Sequence, residues 1–193
     1  VTKEELYSYD VVILGDVNLS YLSGNLIDNL RTLVSDRGRG LLLIAGPYHN
    51  PVQYQGTPLE PLLPIDLDGL VVPPPDAPLP DSIRPELTIA GKKGTSIFRF
   101  ADSERASQEI WDFLPGIYWM VEARATKPGA LVYATHPTHA AVQGNVPLIV
   151  TQRYGNGKVL FHATDELWRW RFRTGDTWYG RYWVHVIRYL SRS

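Results

Sequence analysis

Two short runs in the chain are apolar at every position. Val11-Val12-Ile13-Leu14 ends in Gly15-Asp16, and Leu41-Leu42-Leu43-Ile44 ends in Ala45-Gly46. A strand with one wet face alternates, whereas an unbroken apolar run needs cover on both faces. Both runs therefore read as fully buried strands. Between them Leu26, Ile27, Leu30, Leu33 and Val34 recur at helical spacing, which predicts an amphipathic helix. The glycines of Arg37-Gly38-Arg39-Gly40 stop it. Strand, helix, strand at this length is a βαβ unit. It predicts two parallel neighbours, with residues 41–45 central in the sheet beside 11–14.

From Pro47 to about Arg99 the pattern breaks up. Pro73-Pro74-Pro75, Pro78 and Pro80 lie here, and proline removes backbone donors. We expect an irregular excursion that still packs on the domain, because residues 59–70 are rich in apolar side chains. Residues 103–114 predict a short helix with Trp111 and Leu114 on one side. Residues 117–122 and 130–134 predict strands joined across Lys127-Pro128-Gly129. Residues 147–153 and 158–163 flank Gly155-Asn156-Gly157, a hairpin signal. Tyr179, Trp183, Val186, Ile187 and Leu190 make a closing helical stripe. There is no internal repeat.

Composition narrows the picture. A length of 193 residues, 44% hydrophobic and 20% charged, suits a single domain over 1–193 with a real core. A formal net charge of −1 offers no basic field, so nucleic acid is not expected as a partner. The chain has no cysteine, which rules out a disulfide, a cysteine metal site and a thiol nucleophile. No apolar run is long enough to span a bilayer, and Val1 opens no signal-peptide pattern. The abrupt start without Met reads as a piece excised from a longer protein.

Three stretches carry a resemblance. They are residues 9–16, Arg39-Gly40-Leu41-Leu42-Leu43-Ile44-Ala45-Gly46-Pro47, and Tyr154-Gly155-Asn156-Gly157-Lys158-Val159-Leu160 running on to Asp165-Glu166-Leu167-Trp168-Arg169-Trp170-Arg171. Together they resemble the class I glutamine amidotransferase-like domain of large bacterial membrane proteins, where it often stands beside a von Willebrand factor A-like domain. The resemblance implies an α/β, flavodoxin-like fold: a mostly parallel sheet with helices on both faces, here with a C-terminal antiparallel hairpin. It also implies one more strand and helix before Val1. Active relatives carry a cysteine after a strand of the 41–44 kind, and later a His followed two residues on by Glu. Here the turn reads Ile44-Ala45-Gly46-Pro47, and two residues after His162 stands Thr164. Ala45 has no nucleophile, and Pro47 has no N–H for an oxyanion hole. The resemblance thus implies a pseudoenzyme with no catalytic residue, no cofactor and no metal. It would bind an unknown protein partner or small ligand within a larger membrane-associated bacterial protein, tethered through flanking segments.

Several residues are candidates for binding. Gly46, His49, Asn50, Gln53 and Tyr54 follow the second strand, and open α/β sheets take ligands at the carboxyl ends of strands. The same residues also fit an ordinary polar loop. His162, Asp165 and Glu166 follow a later strand. In Trp168-Arg169-Trp170-Arg171-Phe172-Arg173, strand-like alternation would put the aromatics on one face and the arginines on the other. Arg169 and Arg171 then either hold a ligand or pair with Asp165, Glu166 or Asp176, while Trp168 and Trp170 anchor the last helix. His136-Pro137-Thr138-His139 invites a metal reading, but no companion carboxylate stands nearby in sequence. Asp16, Asp66 and Asp68 read as turn and capping residues. The alternative function is a hydrolase of a carbohydrate or related substrate, using His49, His162, Asp165 and Glu166. It requires that the histidines and an acid converge in one cleft.

Overall fold

The computed structural model describes residues 1–77, 81–172 and 174–191; Pro78, Pro80 and Arg173 lie outside the described residues. A short helix α1 (Lys3–Ser8) is capped by Thr2, whose side chain accepts from the Glu5 N–H. Strand β1 (Val11–Leu14) leads to helix α2 (Gly24–Ser35), capped in the same way by Ser23, and then to strand β2 (Gly40–Ile44). β1 and β2 pair in parallel, Val11 against Gly40 through Leu14 against Leu43. The excursion follows, then β3 (Glu86–Leu87), α3 (Ile89–Lys93) and α4 (Glu104–Phe113). β4 (Leu131–Ala140), β5 (Asn145–Tyr154), β6 (Gly157–His162) and α5 (Asp176–Ser191) complete the fold.

These elements form a mixed α/β fold around a six-stranded sheet in the order β1-β2-β6-β5-β4-β3. The expectation of a mostly parallel sheet is corrected. Only β1–β2 and β2–β6 are parallel, while β6–β5, β5–β4 and β4–β3 are antiparallel. The reason is connection length. Parallel neighbours need a crossover of about a dozen residues or more. β4, β5 and β6 are instead joined by turns too short for one, at 141–144 and at 155–156. At the second turn Gly155 takes φ +58 and Asn156 donates its N–H to Ser35 O.

β2 is internal, with Leu41, Leu42 and Leu43 buried. β1 is not fully covered as expected. It is an edge strand, and Ile13 is 44% exposed. An apolar run reports on what covers the faces of a strand and carries no information about its outer hydrogen-bonding edge. Residues 117–122 do not form the predicted strand either. Only isolated bridges Ile83–Ile117 and Val71–Glu122 occur, because the Tyr118 and Trp119 amides are bound by the carboxylate of Glu166.

Helices cover both faces of the parallel half. A Cβ on Gly40 would sit 2.6 Å from Leu190, so glycine is what lets α5 lie directly on β2. On the other face a Cβ on Gly157 would sit 2.5 Å from the Val34 carbonyl, at the end of α2. We expect Gly40→Ala to cost about 1–3 kcal/mol by overpacking, read as a lower urea midpoint at unchanged slope. The excursion packs under β5: Leu59, Leu62, Leu63 and Ile65 are buried. Gln152 Nε2 donates to the Pro61 and Leu62 carbonyls at 3.1 and 2.8 Å. Among the described residues no helix is long and apolar enough to cross a membrane.

Candidate ligand-binding cleft

The turn after β2 is built around one carboxylate. Asp16 Oδ1 accepts from the His49 and Asn50 N–H groups at 2.6 and 2.7 Å, and Oδ2 accepts from the Tyr48 N–H at 3.0 Å. Gly46 is pressed so close that a Cβ there would land inside the Asp16 side chain. Asn50 is buried and donates to the Ile44 carbonyl at 2.7 Å. Gln53 bonds His49 Nδ1 at 2.8 Å and accepts from the Leu19 N–H at 3.1 Å. Tyr54 is fully buried, and burial pushes its phenol up. The structure therefore brings Gly46, His49, Asn50, Gln53 and Tyr54 together, but the His49, Asn50 and Gln53 bonds above are spent within the loop, and the Tyr54 hydroxyl is buried. The ordinary-loop reading describes them better than a ligand site, since Asn50 and Tyr54 cannot meet a solute.

His162 ends β6, but its side chain turns away from the loop after β2. It is fully buried against α5, with Nε2 2.8 Å from the Tyr182 hydroxyl. Burial pushes its imidazole down to about 3, so it is neutral at any ordinary pH. Thr164, two residues after His162, is buried and donates to the Trp119 carbonyl at 2.6 Å.

Asp165, Glu166 and Arg169 instead line an open cleft of about 790 Å³, shared with Trp119, Glu122, His136 and His139. Glu166 is its structural pin. Oε2 accepts from the Tyr118 and Trp119 N–H groups at 2.5 and 2.9 Å, and Oε1 accepts from Arg169 Nη2 at 2.6 Å. The Arg169 guanidinium also lies 4.9 Å from the Tyr118 ring and 4.7 Å from the Trp168 ring. Asp165 stands at the rim. The surrounding protein, helped by the charges of Glu166 and Asp16, raises its carboxyl above the usual range. Trp119 Nε1 donates to the Pro73 carbonyl at 2.9 Å, which fixes the indole against the proline-rich wall.

The two histidines of β4 stack, with ring centroids 3.8 Å apart and planes 20° from parallel. His139 Nδ1 lies 2.8 Å from Glu122 Oε1. His136 Nδ1 accepts from the Thr138 and His139 N–H groups at 3.1 and 2.9 Å, so its ring proton resides on Nε2. Burial and the neighbouring His139 lower its tendency to charge. Stacked rings aim their in-plane lone pairs side by side, not at one point. Among the described residues no group of three His, Asp or Glu is placed to hold a metal.

Arg171 pairs with Asp176 at 2.5 Å on the surface, outside the cleft. The strand-like alternation expected through this cluster is corrected. Glu166–Arg171 is a 3₁₀ turn, so Trp168 and Trp170 point differently. Trp170 is buried, whereas Trp168 is 52% exposed and cannot anchor α5. Sequence reasoning missed Tyr118, Trp119 and Glu122. The only local signal was an adjacent aromatic pair that broke the strand pattern.

No family model and no curated protein matches the chain. Among solved structures it is similar to the cytoplasmic protein STM3548 of Salmonella typhimurium. That likeness has a TM-score of 0.67 at 20% identity, over 100% of this chain and 76% of that one. The cytoplasmic protein STM1381 of Salmonella typhimurium LT2 gives 0.62 at 20% identity, over 98% and 75%. A cold-adapted β-galactosidase from Rahnella sp. R3 gives 0.54 at 14% identity, over 97% of this chain but 24% of that one. At these identities the likeness is one of fold.

Proposed function

We propose that the chain is a non-catalytic, class I amidotransferase-like module of flavodoxin-like fold that binds a small ligand in the cleft pinned by Glu166. Its setting would be a larger membrane-associated bacterial protein. The observation that carries this reading is the Asp16 turn. Acyl transfer from glutamine needs a nucleophile and free backbone donors aimed at the developing oxyanion. At this turn Ala45 is buried, and the Tyr48, His49 and Asn50 amides are already committed to Asp16. The imidazole that would serve as base, His162, is committed to Tyr182 on the far side of the strand. A carbohydrate hydrolase built from His49, His162 and an acid gains no support, since His162 is sealed from solvent and Glu166 is taken up by three donors. The purified chain, incubated with L-glutamine, is expected to release no more ammonia than a heat-denatured control. Saturable ammonia release would overturn the proposal.

A further inference from the structure

We infer that the cleft binds an uncharged carbohydrate, with a pyranose ring lying on the Trp119 indole and its hydroxyls bonded to Glu122, Asp165 and His136. The inference rests on the cleft being the ligand site and adds the class of ligand. Charge decides first. Among the described residues lining the cleft, the cationic or protonatable nitrogens belong to Arg169, His136 and His139. Arg169 is bound to Glu166 at 2.6 Å, and His139 faces Glu122 at 2.8 Å. An anionic ligand such as a phosphate would meet no free counter-charge, and would lose its hydration beside four carboxylates, Asp81, Glu122, Asp165 and Glu166.

An organic cation fits little better. Of the four carboxylates, Glu166 is already paired with Arg169 and Glu122 with His139, and the Arg169 guanidinium, seated over the Tyr118 ring, would repel it. A neutral polyol needs the opposite arrangement: donors and acceptors interleaved, with an apolar platform. Glu122 Oε2 has no partner among the described residues, and Asp165 stands open at the rim as a second acceptor. His136 supplies a donor, because its Nδ1 is filled by two backbone amides and the proton sits on Nε2. Trp119 supplies the platform, and its bonds to Pro73 and Glu166 hold it in place before a ligand arrives. The volume of about 790 Å³ accommodates a disaccharide.

The test is isothermal calorimetry of the whole chain with cellobiose, maltose, xylobiose and N,N′-diacetylchitobiose. Inorganic phosphate, L-glutamate and spermidine serve as charged probes. At least one sugar should bind saturably with a Kd of about 1 mM or tighter, and more tightly than any charged probe. Trp119→Ala and Glu122→Gln should each weaken that sugar about tenfold or more. Trp119→Phe keeps a stacking face and should stay within about threefold, which separates loss of the platform from loss of the fold. Circular dichroism confirms that each variant is folded. No saturable binding of any of these sugars overturns the inference. So does preference for a charged probe, or sugar binding unchanged in both Trp119→Ala and Glu122→Gln. Absent sugar binding without ammonia release removes only the ligand class, whereas ammonia release from glutamine removes the parent reading.

Discussion

Trp170→Ala is expected to lower the unfolding free energy by about 3–5 kcal/mol, a fall in Tm of roughly 6–20 °C for a domain of this size. The Trp170 ring is buried and meets Trp111 and Tyr182 edge-on, with centroids at 5.4 and 5.0 Å. It joins α4 to α5 over the antiparallel half of the sheet, so truncation opens a cavity that three elements share. Trp168→Ala is the control. Trp168 is two residues away and 52% exposed, and its loss should cost about 1 kcal/mol or less. Equal losses in the two variants would contradict the assignment of Trp170, and not Trp168, as the anchor. Thermal unfolding of both, side by side, reads the difference.

Stability should also fall in mild acid, with His162 as the main cause. Its folded value is pushed from 6.5 down to about 3 by burial. Between those values the unfolded chain binds the proton and the folded chain refuses it. The stabilisation is therefore complete above about pH 6.5 and is lost as the pH falls toward 3. From pH 7 to pH 5 this amounts to about 2 kcal/mol. His136, also lowered, adds a smaller loss of the same sign. Urea midpoints at the two pH values should separate clearly in the wild type. In His162→Gln, whatever its absolute stability, the separation should shrink. An unchanged separation would place the acid sensitivity elsewhere.

How much of this was legible in the sequence depended on the range of the interactions. The run 41–44, the stripe of α2 and the Gly155-Asn156-Gly157 turn are local patterns, and each produced its element. The sheet's handing over from parallel to antiparallel was legible only in the shortness of the links after β4. The cleft was not legible. Tyr118 and Trp119 are fixed by Glu166, 47 or 48 residues further on, and His139 by Glu122, 17 residues back. Such bonds leave no periodic trace. The segment from Glu166 to Arg171 was misread for a related reason. Trp168-Arg169-Trp170-Arg171 alternates aromatic with basic and satisfies a period of two, and tertiary packing of Trp170 and the Glu166 carboxylate imposed a period of three. His162 looked like chemistry because it ends a strand beside a turn, while strand parity turns its side chain toward Tyr182.

The central claim is that the turn after β2 is closed to acyl transfer by its geometry and not merely by a missing atom. Silence from the wild-type chain in a glutaminase assay has two explanations, since it has no thiol. Ala45→Cys supplies one at a buried position just past the end of β2. With the amides held by Asp16 and His162 held by Tyr182, the account predicts that Ala45→Cys releases no ammonia from L-glutamine above a heat-denatured control. Saturable ammonia release by Ala45→Cys would contradict it, and would make the chain an amidotransferase lacking only its cysteine.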